Sequence, residues 1–183
     1  DKFKSHIQWK GFGNELSIEL TDELIVSFKD NWDWSSLSSN NHFTWTEKHI
    51  HNFSDKWDWK KMSWNEALPW SEKLIANFED YWDWSGLSLI KNIPWSIDLL
   101  NKYDNKWDWS RLCLNEKVPW NEELIDKNID RINWYWLSKN PNVPSKQSLF
   151  LKYFDKWDWD GLSDNNNLPW DNKFIELHEM KWN

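Results

Sequence analysis

The spacing of tryptophans constrains this chain more than any other feature. Trp-Asp-Trp recurs with a period of 25 residues, Ile132-Asn133-Trp134 occupies the one degenerate slot, and Ile7-Gln8-Trp9 lies one period before the first copy. The complete copies begin at Trp32, Trp57, Trp82, Trp107 and Trp157. A fixed period of this length indicates stacked units, each burying its apolar face against its neighbours. We therefore interpret residues 1–183 as a single repeat array with units phased at 7, 32, 57, 82, 107, 132 and 157.

The array begins within a unit and stops at Trp182-Asn183, where another copy of the motif would begin. We interpret the chain as a segment of something longer.

Each unit contains the start and the apolar face of a short α-helix. In the best-formed unit, Ser71 offers a hydroxyl to the free N–H groups of a helix that begins at Glu72. Trp70 before the cap and Ile75 at the fourth helical position have the spacing of a hydrophobic staple. Apolar residues three, four and seven positions after the cap lie on one helical face. The pattern predicts an amphipathic helix of about nine residues, which needs its neighbours for stability.

A second element follows the first tryptophan of the motif. The middle aspartate is expected to accept hydrogen bonds from the backbone and to begin a short α or 3₁₀ turn. These predicted structural caps are Asp33, Asp58, Asp83, Asp108 and Asp158. An asparagine after the turn suits either a left-handed C-cap or a ladder of side-chain hydrogen bonds between repeats. It recurs at Asn40, Asn65, Asn115, Asn140 and Asn165.

These patterns predict an all-α fold, an α-solenoid of about seven 25-residue units that each combine an α-helix with a short α or 3₁₀ helix. A strand is the alternative, because Trp-x-Trp places both rings on one side of a strand and the period is close to that of leucine-rich repeats. The recurrent caps and the helical spacing favour helices.

Eighteen of the 20 tryptophans fall on three phases of the repeat, and Trp64 and Trp136 alone lie outside them. The second tryptophan of the motif is never missing and is predicted to form a structural ladder: Trp9, Trp34, Trp59, Trp84, Trp109, Trp134 and Trp159. Buried rings would supply the core of a unit that has few aliphatic residues. The alternative is that one ladder, the first Trp of the motif or the Trp of Pro-Trp, faces outward as a platform for sugar rings or aromatic-rich peptides.

Composition disfavours several classes of function. A formal net charge of −8 with no Lys/Arg run argues against nucleic acid and anionic membranes as partners. No apolar run approaches the roughly 20 residues of a membrane span. Cys113 is the only cysteine, which excludes an internal disulfide framework. It stands at a phase that carries serine in other units, so we interpret it as a small-residue position. With no signal peptide in this segment, a cytoplasmic location is favoured while the compartment stays unknown.

The polar residues suggest no catalytic centre. His42, His49 and His51 cluster in one unit, and we interpret them as solvent-facing histidines, since His49 and His51 point apart on a helix. No calcium loop, Gly-x-Ser-x-Gly turn or phosphate-binding glycine loop is seen. We expect no enzyme activity, no cofactor and no metal.

The chain repeats the motifs Leu-Ser-x-Asn-x-x-x-Pro-Trp-x-x-x-Leu-Ile and Lys-Trp-Asp-Trp. Both motifs resemble the tryptophan-rich short repeats found in multi-repeat proteins of bacteria and giant viruses. The segment 133–143, NWYWLSKNPNV, is similar to the giant-virus form. The resemblance covers nearly the whole chain and implies an architecture similar to leucine-rich-variant solenoids, in which an α-helix alternates with a 3₁₀ helix. It implies no activity.

The expected function is that of a non-enzymatic scaffold that binds a protein, with end-to-end self-association also open. The predicted partner contact is Trp64, Leu89 and Leu114, apolar residues at one variable phase of three successive units. The alternatives are a carbohydrate-binding module with an exposed tryptophan ladder and a structural spacer or filament. We expect the first unit, which has Glu19-Leu20 in place of Pro-Trp, to act as a cap or to fray, and the sixth is predicted to be the weakest joint. There Ser145 replaces a tryptophan, Lys146 replaces a cap and Asn128 replaces an aromatic ring.

Overall fold

Short helices of two kinds alternate along the chain. The computed structural model describes residues 21–168 and residue 176, and the chain divides into two compact units, Asp1–Pro94 (unit 1) and Trp95–Asn183 (unit 2). The helices described in unit 1 are α1 (Asp22–Ser27), α2 (Trp34–Ser38), α3 (Glu47–Asn52), α4 (Trp59–Met62), α5 (Glu72–Asn77) and α6 (Trp84–Leu87). Those described in unit 2 are α7 (Ile97–Lys102), α8 (Trp109–Leu112), α9 (Glu122–Lys127), α10 (Trp134–Lys139), α11 (Gln147–Lys152) and α12 (Trp159–Ser163). The described residues contain no strand, and the predicted all-α repeat fold is confirmed.

The odd-numbered helices begin at the predicted polar residues. Ser71 is the N-cap of α5, and its hydroxyl accepts from the Leu74 N–H at 3.0 Å. Helix α5 has six residues, fewer than the predicted nine or so, because the backbone at Phe78 leaves helical geometry at φ −127° and ψ 29°. The apolar pair Leu74 and Ile75 is fully buried, so the helix still presents its predicted face to the core.

The even-numbered helices begin at the motif's central residue. In α4, Asp58 accepts from the Lys61 N–H at 3.2 Å. The same kind of cap bond is made by Asp33, Asp83, Asp108, Asp158 and, in the degenerate unit, Asn133. A carboxylate that accepts a hydrogen bond from the backbone N–H two or three residues later satisfies one of the free donors at the helix start.

Indole N–H groups fix the rings to the backbone. In unit 1, Trp82 donates to the carbonyl seven residues earlier at 3.2 Å, and Trp84 donates to the carbonyl five residues earlier at 3.2 Å. Trp70, the tryptophan of Pro-Trp, donates to the carbonyl of Asn65 at 3.0 Å. Its ring lies 5.1 Å from that of Trp82. A buried indole needs such an acceptor, and in unit 1 each of these phases finds it at a fixed offset, whereas the Nε1 atoms of Trp120 and Trp157 in unit 2 are buried without one.

Asparagine side chains join consecutive repeats. The buried Asn65 donates Nδ2–H to the carbonyls of Ser38 and Asn40, at 3.0 and 3.2 Å, and accepts from the Ala67 N–H at 2.9 Å. Asn140 makes the same pair of bonds in unit 2, and its φ of −72° and ψ of 123° are not left-handed. Of the two alternatives for this phase, the structure shows the ladder.

Serine adds a second link between repeats. The Ser63 hydroxyl donates to the Trp59 carbonyl at 2.7 Å and accepts from the Asp83 N–H at 2.8 Å. Cys113 lies at this phase in unit 2, fully buried, with its thiol donating to the Trp109 carbonyl at 3.1 Å. Burial raises the pKa of the Cys113 thiol to about 12. Such a thiol is inert toward thiolate chemistry at neutral pH.

The sixth repeat replaces a ring with a cation. Asn128, where other repeats carry Phe or Tyr, is buried and donates to the Leu124 carbonyl at 2.9 Å. The guanidinium of Arg131 lies 4.7 Å from the Trp109 ring and donates to the Asp104 carboxylate at 2.8 Å. A cation over an indole face is attracted by the ring quadrupole, so the missing aromatic contact is replaced by a cation–π contact.

Candidate functional site

Burial separates the tryptophans that build the fold from those that do not. Among the described residues, the first tryptophan of each motif is buried, and so are Trp45, Trp70 and Trp120 of the Pro-Trp phase, while Trp95 is half-buried. The hypothesis that one of these two ladders faces outward is therefore wrong for the described residues. Their rings pack against other rings of the core, and in unit 1 their N–H groups also bond to backbone carbonyls.

The second tryptophans of the motif are intermediate in burial. Its described members Trp34, Trp59, Trp84, Trp134 and Trp159 are half-buried, and Trp109 is buried under Arg131. Trp9 lies outside the described residues. In unit 1 the Trp59 ring lies 4.7 Å from Phe78 and 4.9 Å from Trp82 of the following repeat, which is a structural contact between repeats.

The two tryptophans outside the three phases are the exposed ones. Trp64 is 44% exposed and Trp136 is 37% exposed, and no other described tryptophan is in the exposed class. Neither residue is required by the repeat, since its phase carries polar residues or glycine in several other units. Each is a candidate contact residue, because tryptophan is enriched among the residues that contribute most of the binding energy in protein interfaces.

The Trp64 ring is fixed in its exposed position. Its Nε1 donates to Asp83 Oδ2 at 3.2 Å, and the ring lies against Gly86. A Cβ at Gly86 would lie 2.7 Å from Trp64 Nε1, so this arrangement requires glycine. In unit 2 a similar relation holds, where a Cβ at Gly161 would lie 3.3 Å from Lys139 Cγ. A ring held in this way binds a partner with little loss of conformational freedom.

A groove of about 510 Å³ opens beside this ring. We call it the Trp64 groove, and it is lined by Ser39, Asn41, Asp58, Lys60, Lys61, Trp64 and Asn65. Asp58 is already engaged, because Oδ1 accepts from the Lys61 N–H and Oδ2 accepts from the Ser35 hydroxyl at 2.7 Å. Lys60 and Lys61 are exposed, and within the described part of the chain no ion pair engages either ammonium group. The groove therefore combines a rigid indole with two free positive charges in a chain of net charge −8.

The other two predicted contact residues differ in exposure. Leu89, at the same phase as Trp64 in the next repeat of unit 1, is half-buried, whereas Leu114 in unit 2 is 44% exposed. The sequence pattern indicated Trp64 but missed Lys60, Lys61 and Gly86. The available signal was a glycine 22 residues after the bulky residue, which also relates Lys139 to Gly161.

The three clustered histidines differ in exposure and do not form a single surface. His42 and His51 are exposed, as expected, but His49 is only 4% exposed, so its interpretation as solvent-facing was wrong. Its Nδ1 accepts from the Thr46 N–H at 3.2 Å while the Thr46 hydroxyl accepts from the His49 N–H, which makes a capping box. The ring is also held 4.9 Å from Phe43. Histidine thus takes the part that Glu or Gln usually plays at this position.

The part of the chain that the structure describes has no feature typical of a metal centre or of a membrane span. No group of three His, Cys, Asp or Glu side chains there is arranged to hold a metal ion. None of the helices in that part has the length and apolar character that crossing a membrane requires.

The chain matches no family model, and comparisons with curated proteins and with solved structures also give no match.

Proposed function

We propose that this chain is a non-catalytic repeat module that binds a protein, with Trp64 and its groove as a contact surface in unit 1. The observation that supports the proposal is the exposed Trp64 ring, fixed by Asp83 and Gly86 beside two lysines without ionic partners in the described residues. Tryptophan in a fixed orientation is a frequent centre of binding energy in protein interfaces. The lysines favour a partner segment that carries an acidic residue close to an apolar side chain.

The resemblance to tryptophan-rich short repeats supports the same proposal without adding an activity. We propose membership of that family on the repeated Pro-Trp and Trp-Asp-Trp wording. Repeat arrays expose the residues that their stacking does not use, and these are free to specialise for a partner.

The first experiment selects peptides from a random display library on the wild-type chain and measures their affinity for variants. Trp64→Ser introduces the residue that stands at this phase in the preceding repeat, Ser39, so we expect the fold to persist and affinity to fall at least about tenfold. Gly86→Ala retains the indole but displaces it, and we expect an intermediate loss. Tyr81→Lys is the matched control, because Tyr81 is also exposed and several repeats carry a cation at its phase.

Peptides enriched in acidic residues that lose affinity on Lys60→Ala would support the charge component. Selected peptides that bind Trp64→Ser as tightly as wild type would contradict the groove assignment. In the same assay, Leu89→Lys tests the leucine contact of unit 1 and Leu114→Lys tests that of unit 2, and we expect each to weaken a partner that contacts the substituted residue.

Sugar binding is the second candidate, because a fixed indole face beside Ser39 and Asn41 offers both stacking and hydrogen bonding to a pyranose ring. A glycan array probed with wild type and Trp64→Ser distinguishes it from peptide binding. A spacer or filament is the third candidate, and concentration-dependent growth in light scattering would favour it.

A further inference from the structure

A cavity in unit 2 lies beside the residue at which the repeat pattern calls for a tryptophan. It has a volume of about 250 Å³ and is lined by Trp120, Asn121, Glu122, Pro144, Lys146 and Leu149. Ser145 stands between two of these residues, at the phase that carries Trp45, Trp70, Trp95 and Trp120 in the four preceding repeats. We call this space the Ser145 cavity.

The preceding repeats show which group this position normally accommodates. Trp45 and Trp70 are both buried, and each donates its Nε1–H to the carbonyl of the asparagine five residues earlier, at 2.9 and 3.0 Å. The Trp45 and Trp70 rings each lie 5.1 Å from the first tryptophan of their own motif. In these repeats the position holds one indole ring in a largely apolar environment.

Unit 2 replaces only part of what the missing ring supplied. Phe150 stands where Ile50, Ile75 and Ile125 stand in other repeats, and its ring lies 5.0 Å from Trp157. The ring contact to the motif tryptophan is thereby restored from another position, but the Ser145 cavity is not filled.

The wall of the cavity shows a second departure from the repeat. The Nε1 of Trp120 is buried and has no hydrogen-bond partner in the structure, unlike that of Trp45 or Trp70. Buried indole N–H groups are usually bonded, and an unsatisfied one is an exception that calls for an explanation. The Nε1 of Trp157, which does not line the cavity, is also buried without a hydrogen-bond partner, so this departure is not confined to the cavity.

We propose that the Ser145 cavity binds the indole of a tryptophan supplied by another polypeptide segment, in the extended Pro-Trp form that the array uses internally. The volume is sufficient, since a cavity of about 150 Å³ already accommodates benzene. The segment is extended because the residue before proline avoids helical geometry. The peptide lies along the rim between Lys146 and Glu122, and its indole takes the place of the side chain that Ser145 lacks.

The test uses the peptide Ac-Leu-Pro-Trp-Ser-Glu-Lys-NH2, which copies residues 68–73, and the same peptide with Ala in place of Trp. Each is titrated into the full chain labelled with ¹⁵N, and the resonances of the Trp120 indole N–H and the Leu149 amide are followed. We expect saturable shifts with the Trp peptide and at least a tenfold weaker response with the Ala peptide.

The decisive variant fills the cavity with a side chain of the protein itself. Ser145→Trp recreates the sequence Val-Pro-Trp of the preceding repeat, residues 118–120, and should raise the midpoint of thermal unfolding while abolishing the peptide response. If the new ring collides with Phe150, the double variant S145W/F150I restores the pair found in the preceding repeat, Trp120 and Ile125. Ser145→Ala is the matched control, because it leaves the cavity open and should bind as wild type does.

Two results would overturn the assignment of the cavity as a binding site. One is the absence of a saturable shift in folded wild type, and the other is a peptide response that persists in both filled variants. Binding of free indole with an affinity equal to that of the Trp peptide would also overturn a polypeptide occupant and would assign the cavity to a small aromatic molecule.

Discussion

Asn65 shows how much one side chain contributes to the connection between repeats. Its amide donates two hydrogen bonds to the preceding repeat and accepts one from its own loop, so all three bonds depend on a single buried group. Loss of a buried donor leaves carbonyl oxygens without a partner they had, and that cost exceeds the net value of a surface hydrogen bond.

We therefore expect Asn65→Ala to lower the free energy of unfolding by about 1–3 kcal/mol. Asn65→Asp should cost more at neutral pH, because it places a carboxylate against two carbonyl oxygens. Asn92→Ala is the matched control, since Asn92 also donates to a carbonyl of the preceding repeat, at 3.0 Å, but at an exposed site. Its effect should stay within about 0.5 kcal/mol. Urea unfolding followed by circular dichroism measures all three, and equal losses for Asn65→Ala and Asn92→Ala would contradict the role of burial.

The same residue marks a limit of prediction at this scale. An asparagine at a fixed phase was compatible with a left-handed C-cap or with a ladder, because both depend on the same amide. The choice depends on whether carbonyls of the preceding repeat lie within reach, and that distance is set by the stacking. The interpretation of His49 as solvent-facing was wrong for a related reason, since a capping role that usually belongs to Glu or Gln was not expected of an imidazole.

At the scale of elements, helix starts were predictable and helix lengths were not. The starts are local, because a serine or aspartate accepts from the backbone two or three residues ahead regardless of the rest of the fold. The described odd-numbered helices all end after six residues, and the backbone leaves helical geometry at the next one, as at Phe78. Helix α9 ends in the same way at Asn128, which has no ring, so an aromatic contact between repeats is not required for this end.

Helix α11 offers the element-scale prediction, since its N-cap residue Lys146 makes no side-chain hydrogen bond to the helix start. Lys146→Asn introduces the residue that caps α9, where Asn121 accepts from the Leu124 N–H at 2.7 Å. We expect the free energy of unfolding to rise by about 1 kcal/mol. Lys146→Ala removes the same cation without adding a cap, so it should give no comparable gain. Thermal unfolding of both variants measures the difference, and an equal gain from alanine would assign the effect to charge.

At the scale of the molecule, the repeat period predicted what builds each unit and not what each unit binds. Features shared by most repeats, such as the three tryptophan phases, are constrained by stacking and were predicted from the sequence. The Trp64 groove joins residues of adjacent repeats, and the Ser145 cavity exists because one ring is missing. A departure from the period was visible in both places, but only the packing shows whether a departure leaves a surface, a contact or a cavity.

Tryptophan fluorescence of the whole chain tests this division between structural and exposed rings. Of the 17 tryptophans that the structure describes, only Trp64 and Trp136 are in the exposed class. We expect blue-shifted emission with a small component that acrylamide quenches readily, because buried indoles lie in an apolar environment that the quencher does not reach. The double variant W64F/W136F should lose much of that component, whereas Trp70→Phe should leave it unchanged and instead lower the midpoint of thermal unfolding, since its ring and its hydrogen bond belong to the core. Quenching that stays the same in the double variant would mean that other rings are open to solvent, and it would return the exposed-ladder hypothesis to consideration.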